Sequence, residues 1–167
     1  MSSRPPLVAD PDLVTPQWLT SVLRHAGAID AATKVSSFEA SPIGTGQVGA
    51  NVRYALSYDR AGPEAPATVV CKFSSRDPAS AAAGVAVLTY ETEVAFYRDL
   101  AHTVDISRPH CHFADIRSGT ADVVLVMEDI APAEQGDQIA GCTAAQASLA
   151  VAEAARLHGP RDRKSVV

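Results

Sequence analysis

Residues 42–58 read PIGTGQVGANVRYALSY, and this stretch decides the fold. Three glycines fall within six residues, from Gly44 to Gly49, in the spacing G-x-G-x-x-G. After them, residues 52–58 alternate with period two, as in a strand with one buried face. Residues 35–43, in front of the glycines, also have the character of a strand. The sequence therefore predicts a glycine turn between two closely joined antiparallel strands.

The glycine pattern alone is a weak signal, since three close glycines often mark only a turn. In a dinucleotide-binding fold the pattern follows a strand and opens a helix. In a kinase fold it joins two antiparallel strands and lies over the phosphates of ATP, which a backbone without Cβ can approach closely. A strand follows Gly49 here, so we reject the dinucleotide interpretation. The predicted phosphate-covering residues are Gly44, Thr45, Gly46, Gln47, Val48 and Gly49.

A kinase-like site also needs a strand lysine for the phosphates and a helix glutamate that pairs with it. Lys72 ends Val-Val-Cys-Lys in a predicted third strand over residues 67–73. Glu93 lies in a predicted helix over residues 79–100, whose apolar stripe comprises Val87, Tyr90, Val94 and Tyr97. Glu91 and Asp99 are its rivals, but both point to other faces. A lone lysine or glutamate is usually a solvated charge, whereas the ordered set is more specific.

Further elements flank this set. Thr15 and Pro16 predict the start of a helix that ends near Gly27. Strands are predicted at residues 110–116 and 123–127, followed by a loop over 129–141 and a helix from Thr143 to His158. The order is helix, three strands, helix, two strands, loop and helix.

The segment VVLVMEDI, residues 123–130, is typical of a strand and hinge that border an adenine pocket. Met127 would line the pocket, and the backbones of Glu128 and Ile130 would bond the base. The alternative, which we favour for this segment taken alone, is a buried strand that ends in an acidic turn.

Together these segments, with Gly136-Asp-Gln-Ile139 and Leu157-His158, resemble bacterial phosphotransferases. The family is the aminoglycoside-phosphotransferase and choline-kinase-like group, nearest its ecdysteroid-kinase-like branch. The resemblance covers residues 14–160, but only the N-terminal lobe of the family. One departure is that Val52 stands one place later than the valine that follows the glycine loop in protein kinases.

The resemblance implies an α+β fold like the small lobe of protein kinases: a five-stranded antiparallel sheet with a helix packed on it, an N-terminal helix, and a C-terminal helix that begins a large lobe. It implies ATP as phosphoryl donor, held by Lys72, which Glu93 holds in turn. The expected organisation is a flexible N-terminus at 1–13, a nucleotide-binding lobe at 14–131, a linker and first large-lobe helix at 132–158, and a tail at 159–167.

The residues for the transfer step are missing. Kinases supply them in H-x-D-x-x-x-x-N and a following Asp motif. None of the five histidines has Asp two places on, and the only asparagine, Asn51, precedes Lys72. We therefore expect a truncated phosphotransferase, inactive alone, that binds ATP weakly or not at all and Mg²⁺ only with a large lobe. The alternatives are a non-catalytic nucleotide- or protein-binding module, and half of a split kinase.

Composition narrows the partners. A net charge of −5 disfavours nucleic acid. No apolar run is long enough to span a membrane and no signal peptide is evident. Three cysteines far apart in the sequence predict reduced thiols in a cytoplasmic protein. His110 and His112 offer only two ligands on one face of a strand, so we expect no metal site. The apolar face of the last helix predicts self-association or a protein partner.

Overall fold

The computed structural model describes residues 3–44, 48–60, 62–133, 136–137 and 139–159. Its centre is a five-stranded sheet in which every neighbouring pair is antiparallel. The spatial order is β1-β2-β3-β5-β4. Prediction of an α+β fold with a five-stranded antiparallel sheet is confirmed. The strands are β1 (Val35–Ile43), β2 (Gly49–Tyr58), β3 (Thr68–Ser74), β4 (Cys111–Ile116) and β5 (Val123–Glu128).

Helix α1 (Pro16–His25) covers one face of the sheet. The Thr15 hydroxyl accepts a hydrogen bond from the Trp18 N–H at 3.1 Å, and Pro16 occupies the first turn, as predicted. Its apolar stripe packs on alternate residues of the strands. The buried residues of this layer include Leu19, Val22, Leu23, Tyr54, Val69, Cys71, Phe73, Val124 and Val126.

Part of the chain before α1, within the segment 1–13 that we expect to be flexible, packs on the same layer. The Trp18 indole N–H donates to the Pro6 carbonyl at 2.8 Å, and Leu7 and Val8 contact the core. Arg4 forms an ion pair with Asp115 at 2.8 Å. These contacts satisfy the buried indole and cover apolar surface.

The single helix expected over residues 79–100 is interrupted. It divides into α2 (Pro78–Ala86) and α3 (Thr89–Ala95), after which the chain continues in a wider turn. The break lies at Leu88, whose φ of 57° is left-handed. A straight helix would have kept one apolar stripe, but Val87 is largely exposed here. The change of direction seats the Tyr90 ring against Gly84, where a Cβ would lie 2.7 Å from the ring.

Helix α3 covers the other face of the sheet. Tyr90 and Val94 are buried against Ala114, Val123 and Leu125. The two faces are therefore covered by different helices, α1 and α3. Successive residues of β3 point alternately to one helix or the other.

Helix α4 (Ala144–His158) has no buried residue. Thr143 and Gln146 form a capping box at its start. Leu149 and Val151 are 70% and 67% exposed, and Glu153 accepts hydrogen bonds from the Ser107 backbone N–H and hydroxyl. Residues 160–167 of the predicted tail lie outside the described residues. Within the part of the chain that the structure describes, the helices are too short or too polar to cross a bilayer.

Candidate functional site

Lys72 and Glu93 form an ion pair, as the sequence predicts. The distance from Lys72 Nζ to Glu93 Oε1 is 2.8 Å, and the two side chains are 28% and 24% exposed. The rival Glu91 lies on another face, where its carboxylate accepts hydrogen bonds from Ser118 and Gly119. Asp99 is exposed beyond α3. The structure therefore selects Glu93 from the three acidic candidates.

The register of the sheet places this pair at its centre. Lys72 lies between Asn51 on β2 and Leu125 on β5. Glu93 is held over it because its neighbour Val94 is buried against the sheet. A partly exposed pair of this kind contributes only about 0–1 kcal/mol to folding. Its charges remain reachable from solvent, so the pair is available to a charged ligand.

The glycine turn ends directly above the lysine. Gly44 leaves β1 with a left-handed φ of 71°, a conformation that favours glycine. A Cβ on Gly49 would lie 3.2 Å from Lys72 Cε and 3.2 Å from the Phe73 carbonyl oxygen. Close approach of the backbone to the lysine therefore favours glycine here. Thr45, Gly46 and Gln47, which we also predict to cover phosphates, lie outside the described residues.

Val48 is attached to α3 by a residue that the sequence analysis did not select. The Tyr90 hydroxyl donates a hydrogen bond to the Val48 carbonyl at 2.6 Å. The Ser75 N–H donates to the same carbonyl at 3.2 Å. Tyr90 was counted only as part of the apolar stripe, and helical spacing gives no sign that its hydroxyl reaches the end of the glycine turn.

The predicted hinge begins at the end of β5, where Met127 lies on the face that carries Lys72. Met127 is opposite Val70, and both lie two places from the Lys72–Leu125 pair. The Glu128 N–H donates to the His110 carbonyl at 2.8 Å, so it is not free to bond a base. The Ile130 N–H has no hydrogen-bond partner among the described residues. Of the two positions whose backbones we expect to bond a base, Ile130 therefore offers an N–H donor and Glu128 does not.

A second ion pair joins the hinge to β2, and the sequence analysis missed it. Arg53 Nε lies 2.6 Å from Asp129 Oδ2, and Arg53 Nη2 lies 3.0 Å from Asp129 Oδ1. The Asp129 side chain is 5% exposed. Its bonds with Arg53 hold the pKa of this carboxyl below its usual value and raise the pKa of the guanidinium. Glu128 and Asp129 are adjacent acidic residues at the end of a strand, and the sequence does not indicate which partner each one has.

Arg53 lies opposite Val70, on the face that carries Lys72. Asn51 shares this face, whereas Val52 packs against the core beneath α1. The residue that departs from the kinase pattern is therefore not at the site. Arg53, Val70 and Met127 therefore lie on the same face of the sheet as Lys72.

Metal and thiol chemistry receive no support from the geometry. Over the described ranges, His, Cys, Asp and Glu side chains form no group of three or more that could bind a metal. The His110 and His112 rings are 4.9 Å apart, and burial is the main cause that lowers the pKa of His112. Burial raises the pKa of Cys71 strongly, so its thiol stays protonated.

Comparison of the chain with protein-family models, with curated proteins and with solved structures finds no match.

Proposed function

We propose that this chain is the nucleotide-binding lobe of an ATP-dependent small-molecule phosphotransferase, of the kind that the aminoglycoside-phosphotransferase and choline-kinase-like group contains. One observation carries the proposal: the Lys72–Glu93 pair of 2.8 Å lies directly beneath the Gly49 backbone. An ammonium held by a carboxylate beside glycine N–H groups suits a polyphosphate, because each donor meets a phosphate oxygen.

Each part of the nucleotide has a candidate place. The phosphates would contact Lys72 and the glycine turn, and Glu93 would fix the lysine rotamer. The base would lie near Val70 and Met127, with the Ile130 N–H as its donor. Magnesium would join only with acidic ligands from another lobe, because the H-x-D-x-x-x-x-N pattern is absent from residues 1–167. The chain then binds nucleotide without transferring phosphate.

A second candidate is a binding module that acts through α4. The observation that favours it is that Leu149 and Val151 are largely exposed on a helix with no buried residue. A large lobe, a second copy or another protein would each cover such exposed apolar residues. The split-kinase alternative combines both candidates, since the partner on α4 would supply the catalytic residues.

The test is titration of the chain with ATP, with and without Mg²⁺, by NMR or calorimetry. We expect weak binding that falls by about tenfold or more in Lys72→Met, since a charged hydrogen bond is lost. Lys34→Met removes the same charge at an exposed site outside the candidate site and is the matched control. Equal ATP affinity in wild type and Lys72→Met would contradict the proposal.

Turnover is measured separately, with ATP and hydroxylated small molecules as acceptors. We expect none from this chain alone. Phosphate transfer that disappears in Lys72→Met would show that the missing motif is dispensable and would overturn the inactive state we propose.

A further inference from the structure

We infer that Tyr90 is a positioning residue, which fixes the backbone at Val48 and Gly49 relative to the Lys72–Glu93 pair and so sets affinity for the phosphates. The inference rests on the proposed function and adds a residue to it. Among the described residues no hydrogen bond joins Tyr90 to the ion pair, so it would act through the backbone of Val48.

The hydroxyl of Tyr90 lies where two backbone segments meet. It donates to the Val48 carbonyl at 2.6 Å and accepts from the Ser75 N–H at 3.4 Å. Val48 is the last residue before β2, and Ser75 is the first after β3. The tyrosine therefore binds both strands at the end of the sheet where the glycine turn lies.

The ring is fixed as firmly as the hydroxyl. Tyr90 is 2% exposed, and Gly84 of α2 leaves room for its ring, since a Cβ there would lie 2.7 Å from ring atoms. Such crowding leaves few alternative rotamers. The position of the hydroxyl is consequently set by α2 and α3 and not by the glycine turn.

Tyr90 and Glu93 are three residues apart on α3, which places them on neighbouring positions of one helical face. The helix is thus joined to the sheet at two polar points: Tyr90 to Val48, and Glu93 to Lys72. A displacement of α3 would disturb both the end of the glycine turn and the lysine. Contacts with phosphate at these two places are therefore linked through one helix.

Tyr90→Phe isolates the hydroxyl. The ring and its packing on Gly84 remain, and the Val48 carbonyl still accepts from Ser75, so the fold should survive. We expect affinity for ATP and for inorganic triphosphate to fall by about three- to tenfold, the range of one lost hydrogen bond. Affinity for adenosine, which lacks phosphates, should be unchanged.

The matched control is Tyr58→Phe. The Tyr58 hydroxyl donates to the Pro66 carbonyl at 2.7 Å, the same kind of bond at the opposite end of β2. We expect no change in ATP affinity from this variant. Equal losses for ATP and adenosine in Tyr90→Phe, or no loss for either, would overturn the inference and assign Tyr90 a packing role only.

Amide hydrogen exchange without ligand separates this inference from the proposed function. Tyr90→Phe should speed exchange at Gly49 and Ser75 while the centre of β5 keeps wild-type rates. Unchanged exchange at those amides would overturn the positioning role even if ATP binds. If wild type binds no ATP or triphosphate, the proposed function fails, and the phosphate role of Tyr90 fails with it.

Discussion

The two faces of the central sheet differ in what their residues contribute. Toward α1, β3 presents Val69, Cys71 and Phe73, each no more than 1% exposed. Toward α3, the same strand presents Val70 and Lys72, both partly exposed. Residues adjacent in sequence therefore have opposite roles, because strand side chains alternate between faces.

This difference predicts that the two faces contribute unequally to folding stability. Burial of apolar area contributes about 25 cal/mol per Å², so the layer beneath α1 supplies much of the folding free energy. The partly exposed Lys72–Glu93 pair contributes little to it. Charged side chains can occupy the second face because the first does not depend on them for stability.

The largest expected effect is on the α1 face. Phe73→Ala should lower the free energy of unfolding by about 3–5 kcal/mol, since a buried aromatic ring leaves a cavity. Lys72→Met, one residue earlier, should change it by less than about 1 kcal/mol. Urea denaturation followed by circular dichroism measures both. Equal losses would mean that the side chains of the two faces contribute equally to the free energy of unfolding.

The fold was predictable where the chain follows simple periods. Period-two alternation after Gly49 identified β2, and the Thr15 cap with Pro16 identified α1. The break at Leu88 was not identified, because the spacing of the apolar stripe predicted one continuous helix. It depends on the packing of Tyr90 on Gly84, a tertiary contact that local propensity does not report.

The candidate site, like the fold, was predictable only in part. Lys72 and Glu93 could be paired in advance because the resemblance specified a strand lysine and a helix glutamate. Arg53 and Asp129 lie 76 positions apart, and many other pairings of charge were open. Tyr90 was hidden because an aromatic residue on an apolar stripe needs no polar role. Side-chain partners far apart in sequence are set by register, which composition does not reveal.

A loss of stability of intermediate size is expected from substitution of Asp129, whose charged side chain is nearly buried. Asp129→Ala should lower the free energy of unfolding by about 2 kcal/mol, since it removes two charged hydrogen bonds from Arg53. Thermal or urea denaturation at neutral pH measures the loss. Such a loss would show that the Arg53–Asp129 pair stabilises the fold, in contrast to the Lys72–Glu93 pair on the same face.

The control is Asp122→Ala, which breaks an exposed ion pair with Arg117 at 3.1 Å. Its effect should stay within about 0.5 kcal/mol. The double variant Arg53→Ala/Asp129→Ala should recover part of the Asp129→Ala loss, because no unpaired partner remains. Strict additivity would show that the two side chains do not interact in solution.

The smallest expected effect is the pH dependence of the stability that the Arg53–Asp129 pair contributes. Arg53 holds the pKa of Asp129 below its unfolded value, about 3.9, so the pair stabilises the fold fully above that pH. The contribution declines as pH falls through the lower folded-state pKa, when Asp129 takes up a proton.

Urea denaturation at a series of pH values from 7 to about 2 should show the stability gap between wild type and Asp129→Asn shrinking only in the acid range. Other carboxyls with lowered pKa values, such as Asp77 and Glu91, titrate equally in both proteins and cancel in the difference. A gap that is constant across the series would mean that the charge of Asp129 does not contribute to the stability.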